Sequence, residues 1–374
     1  MPTQSSNRFV LDSPAIEFSK IGQKWKIDDQ VDVGSNVNTI VSERKESTLV
    51  NKGYIYSYTS SAVLFTKNDA TLKNKEFGQI NGFQYGVQFH PSDVTHVKGS
   101  LINDGDIYGL SQGVRNTAMG DFSAENYGEI VGGSVGLYST ALLAGSTAGP
   151  VIKNYKSIES EQIGVYVGAL AGLRTKIVNQ EDGVIKGGLT TSQADGAAIF
   201  TNAKVKLTNK GAIEGVVSLD NSRNDKVINE GKIKGDVYLG DGNDTFDNRD
   251  GKTKGYIFAQ EGKDKLIAGD KKEKFVFDNL PDSDRVKNFE SGKDKFFLDP
   301  AEFNGLSLGP LEKSAFRRGT EAKDADDRII YDKDTGKLYI DSNGNAGGGQ
   351  VQFAKVDPGQ KLKYSDFTVE LLAV

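Results

Sequence analysis

Three copies of one pattern follow each other at a step of twenty residues: NKGAIEGVVSL (Asn209–Leu219), NEGKIKGDVYL (Asn229–Leu239) and RDGKTKGYIFA (Arg249–Ala259). A unit this short cannot bury an apolar face by itself, so its copies must stack on one another. Alignment puts Gly211, Gly231 and Gly251 in one column and Gly215, Gly235 and Gly255 in another. The apolar columns are Ile213/Ile233/Thr253, Val217/Val237/Ile257 and Leu219/Leu239/Ala259. Alternation at a period of two between glycine corners reads as short strands, whose side chains point to opposite faces. Each copy therefore supplies one rung to parallel sheets. The expected fold is all-β, a right-handed parallel β-helix.

Looser copies lie upstream, at NKGYI from Asn51, NDGDIYG from Asn103, NYGEIVG from Asn126, NYKSI from Asn154 and NQEDGVIKG from Asn179. From Asn103 onward the steps are between twenty and thirty residues, which suits coils with corner loops of varied length. The recurrent asparagine reads as a corner residue that tolerates the left-handed conformation and hydrogen-bonds along its own column. No sustained helical periodicity precedes residue 270. These corners hold asparagine and glycine, so the upstream coils are expected to be structural and independent of metal.

In LGDGNDTFD (Leu239–Asp247) the repeat acquires acid. AQEGKDKLI (Ala259–Ile267) repeats the plan, with Gly262 and Asp264 under Gly242 and Asp244, and LDNSRNDKV brings Asp225 nearby. Stacked carboxylates repel unless something cationic sits between them. Glycine lets a turn aim carbonyl oxygens inward at no steric cost. Carboxylate and carbonyl oxygens together suit a hard cation with six to eight ligands, which is calcium. Phe246 and Leu266 are expected to point into the core.

Composition supports the metal. The chain has no cysteine, so disulfides and thiolate sites are excluded, and an exported chain would need another staple. The net charge of −5 gives no footprint for nucleic acid. The longest apolar stretch, GVYVGALAGL (Gly164–Leu173), is too short to span a bilayer, so no stable membrane insertion is expected. The start, MPTQSSNRFV, has no basic region followed by an apolar one and does not read as a signal peptide.

GDGNDTF resembles the G-G-x-G-x-D-x-U-x nonapeptide of the RTX (hemolysin-type) calcium-binding family, with Leu239 in place of the first glycine. Gln260 and Glu261 depart from the pattern in the second copy, and AGDKKEKFV (Ala268–Val276) is similar to a third, with Glu273 in the aspartate slot. DSDRVKNFESGKDKFFLD (Asp282–Asp299) resembles the segment that follows RTX repeats, and Ser314–Val356 is similar to the β-rich C-terminal region of type I-secreted members. The resemblance covers Gly240–Val374. It implies bound calcium at Asp225, Gly240, Asp241, Gly242, Asn243, Asp244, Gly262, Asp264, Glu273, Asp284 and Asp294. It also implies β-roll coils running into a β-rich flanking region. Export would use a type I ABC transporter that reads a C-terminal signal including DFTVELLAV (Asp366–Val374). The expected division is a cap (1–50), a parallel β-helix (51–224), calcium-binding coils (225–280) and a flanking and secretion-signal region (281–374). The role implied is structural or adhesive, secreted or at the cell surface, with extracellular polysaccharide or a host or cell surface as partner.

Catalytic motifs are few. His90 and His96 are the only histidines, and no H-E-x-x-H occurs. GGSVG (Gly132–Gly136) has the outline of a nucleophile elbow, but no histidine follows it to complete a triad. YGVQFHPSD (Tyr85–Asp93) is similar to the Y-G-x-D-P-H-D motif of alginate epimerases, with the order broken and Gln88 in place of the acid. The alternative function is therefore a polysaccharide lyase or C5-epimerase on uronic-acid polymers, and the expectation is no enzyme. Asp299–Pro300 reads as the continuation of its segment rather than a self-cleavage site. DSNGN (Asp341–Asn345) reads as a second turn after the hairpin turn DKDTG.

Overall fold

Short strands separated by tight corners return to the same three sheets, coil after coil. The computed structural model describes all residues except 68, 92–97, 118–120, 142–147, 170–171, 189–195, 281 and 373–374. Contacts divide it into two units, Met1–Val216 and Val217–Val374, and each is a parallel β-solenoid. Among the described residues there is no α-helix, only a 3-10 turn at Tyr364–Asp366.

In Met1–Val216 the first sheet stacks strands from Thr3–Gln4 to Lys204–Asn209. The second runs from Arg8–Val10 to Ala212–Glu214, and the third from Ile16–Phe18 to Ala197–Thr201. The first fifty residues, expected as a cap, carry two coils of this same plan; Lys24–Ile27 pairs in parallel with Thr48–Asn51 through Trp25 opposite Leu49. Identical or similar residues stack inside. Ile55, Ile80, Ile107, Ile130, Ile158, Ile185 and Ile213 form one buried column of the second sheet. Each contributes roughly 1.5–3 kcal/mol of apolar burial. Glycine ends the second-sheet strand at Gly82, Gly109 and Gly132 because a Cβ there would collide with the carbonyl of Tyr85, Gln112 or Val135 as the chain turns.

The asparagines read from the sequence, joined by Asn74, end the first strands, and they form a ladder. Asn51, Asn74, Asn103, Asn126, Asn154, Asn179 and Asn209 lie opposite one another in register. All are fully buried. Each Nδ2 donates to the Oδ1 of the next at 2.8–2.9 Å. None of them has the left-handed backbone expected of a corner residue. They are the last residues of extended strands, and their amides also serve the corner, as where Asn74 donates to the Gly78 carbonyl at 2.9 Å.

In Val217–Val374 the coils begin with three strands and lose one. The second sheet of this unit holds only Lys232–Ile233 and Lys252–Thr253. From Lys265–Ile267 onward the chain passes directly to the third sheet, at Lys274–Phe277, and then returns to the first at Asp284–Lys287. Phe246 and Leu266 are fully buried, as expected. The flanking region joins this stack. Gln350–Lys355 adds beside Asp284–Lys287, and Phe367–Val369 beside Lys295–Leu298, both in parallel. DKDTG turns the antiparallel hairpin of Ile329–Asp332 and Lys337–Asp341, and DSNGN lies in the turn that leads to Gln350–Lys355. Phe289 and Phe367 pack on Phe296 at ring distances of 4.2 and 5.2 Å, within an apolar end to the unit.

The ladder makes a direct prediction. Asn126 accepts from Asn103 and donates to Asn154, Gly128 and Ser157. Asn126→Ala should cost about 2–4 kcal/mol, because buried partners lose their hydrogen bonds. Asn126→Asp should be worse at pH 7 than at pH 4, since a carboxylate cannot donate to Asn154. Urea unfolding followed at Trp25, the single tryptophan, measures both; a loss below about 1 kcal/mol for Asn126→Ala would count against the ladder as a source of stability.

Candidate functional site

At the start of the first-sheet strands in the C-terminal unit, aspartate replaces the neutral residues used elsewhere. Asp225, Asp244 and Asp264 each precede a strand and Asp284 opens one. The last three carboxylates each accept the backbone N–H of the aspartate one coil earlier. Asp244 Oδ1 takes the Asp225 N–H at 2.6 Å, Asp264 Oδ1 that of Asp244 at 2.6 Å, and Asp284 Oδ1 that of Asp264 at 2.8 Å. The four side chains are 1–4% exposed. The sequence alignment of Asp225, Asp244 and Asp264 thus corresponds to a physical column, and Asp284 extends it.

Two of these carboxylates have an oxygen left over. Asp244 Oδ2 and Asp264 Oδ2 are buried with no hydrogen-bond partner. By contrast, two other buried acids of the unit each accept several hydrogen bonds. Asp366 takes the Gly292 and Lys363 N–H groups and the Ser291 hydroxyl, and Asp327 Oδ2 takes N–H groups from Lys323 and Asp324. Burial pushes the Asp244 carboxyl up to about 8; the Asp225 N–H opposes this, and the charges of Asp225, Asp241 and Asp284 reinforce it. Asp264 rises to about 8 by burial, against the Asp244 N–H and with the charges of Asp244, Asp282 and Asp278. Asp284 also rises to about 8, through burial and then the Asp264 charge. Such a column is costly when ionised and open to a cation.

Glu273 and Asp294 do not join it. Loss of the second-sheet strand brings Glu273 to the start of the third-sheet strand Lys274–Phe277, where its N–H donates to Asp294 Oδ1 at 3.0 Å. Glu273 Oε1 accepts from Asn248 Nδ2 at 2.8 Å, while Oε2 has no partner. Burial and the Asp294 charge raise this carboxyl to about 7. Burial likewise raises Asp294. These two acids form a second, shorter column.

The loop Gly240–Asn243 positions the first. Gly242 and Gly262 have φ of +133° and +129°, and a Cβ on Gly262 would collide with the Gly242 carbonyl oxygen, so both conformation and space demand glycine. Asn243 Oδ1 accepts the Lys263 N–H at 2.8 Å, and Asp241 Oδ2 the Ser222 hydroxyl at 3.2 Å. Gly240 donates its N–H to Gln260 Oε1 at 2.9 Å. Side chains of Asp241 and Asn243 thus tie coils together at the rim and lie outside the buried column.

Asp278 was not legible as part of this site. Burial raises it to about 6, its Oδ1 has no partner, and its charge acts on both Asp264 and Asp284. The only signal in the sequence was its nearness to the acids of DNLPDSD. Among the described residues no three His, Asp or Glu side chains converge on one point. A cation would draw on carboxylate pairs supplemented by backbone carbonyls and water, and the partnerless oxygens of Asp244, Asp264 and Glu273 fit that need. Of the histidines, His90 is exposed, with Nδ1 2.6 Å from the Thr117 hydroxyl; His96 lies outside the described residues, as do Ser92 and Asp93 of YGVQFHPSD.

No known family model matches the chain, and no curated protein is detectably similar to it.

The raised carboxyls make stability depend on pH. Their folded values lie above the ordinary aspartate value of 3.8, so between about pH 4 and 8 the folded state holds more protons than the unfolded one. In chelator, stability should be greatest near pH 4 and fall as pH rises through 8, by up to about 1.4 kcal/mol per pH unit for each titrating group. Hydrogen exchange of peptides covering 225–284 should show this slope, whereas Trp25 fluorescence should not. Equal protection of those peptides at pH 5 and 8 would refute the electrostatic reading.

Proposed function

We propose that the C-terminal unit is a calcium-stabilised solenoid of RTX type, and that the protein acts outside the cell in a structural or adhesive role. The observation that carries this reading is the set of buried, partnerless oxygens on Asp244, Asp264 and Glu273. Upstream, asparagines that occupy equally buried ladder positions satisfy one another without any ion. Neutral side chains therefore suffice for stacking alone, and acid adds a charge that takes up a proton or a cation.

Calcium fits better than magnesium. The donors are carboxylates and carbonyls on a backbone repeat, and calcium accepts such irregular oxygen sets where magnesium demands near-octahedral geometry and keeps its waters. Binding requires the ionised carboxylates, so calcium would displace protons and bind more tightly as pH rises through about 8. At a hundredfold excess over Kd each site adds roughly 2.7 kcal/mol to the folded form. That is a substantial part of the ~5–15 kcal/mol of a typical domain. Low cytosolic calcium would leave the acid column repulsive, and the calcium-rich extracellular setting would complete folding there. A long stack of parallel coils offers extended faces rather than a deep pocket, which suits a scaffold or an adhesin.

Asp264→Asn tests the assignment by sign. In calcium at pH 8 it should weaken binding tenfold or more and lower the melting temperature. In chelator at pH 8 it should raise the melting temperature, because it removes a buried charge. Isothermal titration that gave the same calcium stoichiometry and affinity for both proteins would sink the proposal.

A further inference from the structure

The outward face of the second sheet in Met1–Val216 carries a regular aromatic pattern. Phe9, Gly34, Tyr56, Asn81, Tyr108 and Val131 occupy one outward column on successive coils. Rings therefore recur on every second coil. The Tyr56 ring stacks on Phe9 at 6.3 Å across Gly34 and on Tyr54 at 5.1 Å. A Cβ on Gly34 would collide with the Tyr56 ring, so the ring lies across the Gly34 backbone. Phe9, Tyr58, Phe83 and Tyr108 are about half exposed.

Hollows adjoin along this face. The central one, about 500 Å³, lies among Tyr54, Tyr56, Tyr58, Phe83 and Tyr108, with Asp32 and Asn81 at its polar positions. A second of about 500 Å³ shares Tyr108 and extends over Val131 toward Glu159 and Lys186. A third of about 290 Å³ shares Tyr54 and reaches Lys52. Asn81 Nδ2 donates to the Tyr54 hydroxyl at 2.8 Å, which holds both polar groups over the hollow.

The chemistry selects one kind of ligand. Strands in this part of the sheet are paired on both sides, so no free edge exists to accept a peptide strand. No Lys, Arg or His lines the central hollow, and Asp32 does, which disfavours nucleic acid, uronic-acid polymers and other polyanions. Tyrosine offers an apolar ring with a polar tip. Sugar rings match it, with C–H faces for the aromatic surface and hydroxyls for Asn81, Asp32 and the phenols. Coils ~4.8 Å apart place the backbones of Tyr56 and Tyr108 on the order of 10 Å apart, about the length of a disaccharide in an extended chain.

We propose that this face binds an extended neutral glycan, laid along the coil stack with its sugar rings over Tyr56 and Tyr108. The inference rests on the adhesive reading and names its ligand class. The test is titration of the full chain in calcium with cellohexaose, mannohexaose and xylohexaose, with polygalacturonate as the anionic comparison. At least one neutral hexasaccharide should bind saturably. Tyr56→Ala and Tyr108→Ala should each weaken it tenfold or more, while Tyr127→Ala, whose ring stacks on Tyr155 at 4.2 Å, should not. Gly34→Ala keeps every aromatic residue yet displaces the Tyr56 ring, and it should also weaken binding. Melting curves establish that each variant is folded. Absence of binding at millimolar oligosaccharide, undiminished binding by the variants, or a preference for polygalacturonate would overturn the glycan site. Cell or matrix adhesion that persists in the Tyr56→Ala/Tyr108→Ala double variant would also overturn it, while leaving the adhesive reading intact.

Discussion

A coil in this protein cannot satisfy all of its corner groups by itself. The side-chain amide of Asn103 or the N–H of Asp244 finds its partner one coil further along, at Asn126 Oδ1 or Asp264 Oδ1. Register follows from this, because a slipped coil would lose the corner bonds together with the match of apolar columns. The isoleucine column of the second sheet supplies burial without discriminating strongly between neighbouring coils, since one isoleucine packs on another much as on the next. Directional hydrogen bonds at the corners select among such equivalent stacks.

Two columns meet this requirement with nearly isosteric groups of different charge: asparagines at the strand ends, in both units, and aspartates at the strand starts of the C-terminal unit. An amide has both a donor and an acceptor, so a row of asparagines closes on itself. A carboxylate has acceptors only. It can take the N–H of the preceding coil, as Asp264 does, but its second oxygen then has nothing to accept. Desolvation makes this costly whenever the group is ionised. The acid columns therefore mark where stability is exchanged for dependence on the surroundings, through protons in the first instance and through a hard cation under the proposal made above.

What could be read beforehand was whatever kept constant spacing. The twenty-residue step through Ile213, Ile233 and Thr253 was legible because those corners are of one length. Asn74 escaped notice because its corner, lengthened by two residues like that of Asn179–Gly183, carries an exposed phenylalanine, Phe77, where the other has only polar residues. The coils before residue 50 escaped for another reason. Ile27 stands opposite Asn51 in the first sheet, so the asparagine that signals a coil is replaced there by an apolar residue. Of the acids, Asp225, Asp244 and Asp264 were legible as a column. Glu273 was not correctly placed by spacing, because the chain omits its second-sheet strand and the step from Ile257 to Phe275 is shorter than that from Val237 to Ile257. The aromatic column of the second sheet was invisible in the sequence, since its members are neither evenly spaced nor flanked by a shared motif.

The direction of the amide bonds has an electrical consequence. In the N-terminal unit every ladder bond runs the same way, from the Nδ2 of one asparagine to the Oδ1 of the next in chain order. Their dipoles lie head to tail and polarise one another, as peptide dipoles do along a helix. In the C-terminal unit the row from Asn229 to Asn248 has the same sense and ends on the Glu273 carboxylate. An anion thus meets the positive end of an aligned row, the arrangement that favours acidic residues at helix N-termini. Glu273 completes the amide row as a negative cap, and the row in turn lowers the cost of keeping that charge buried.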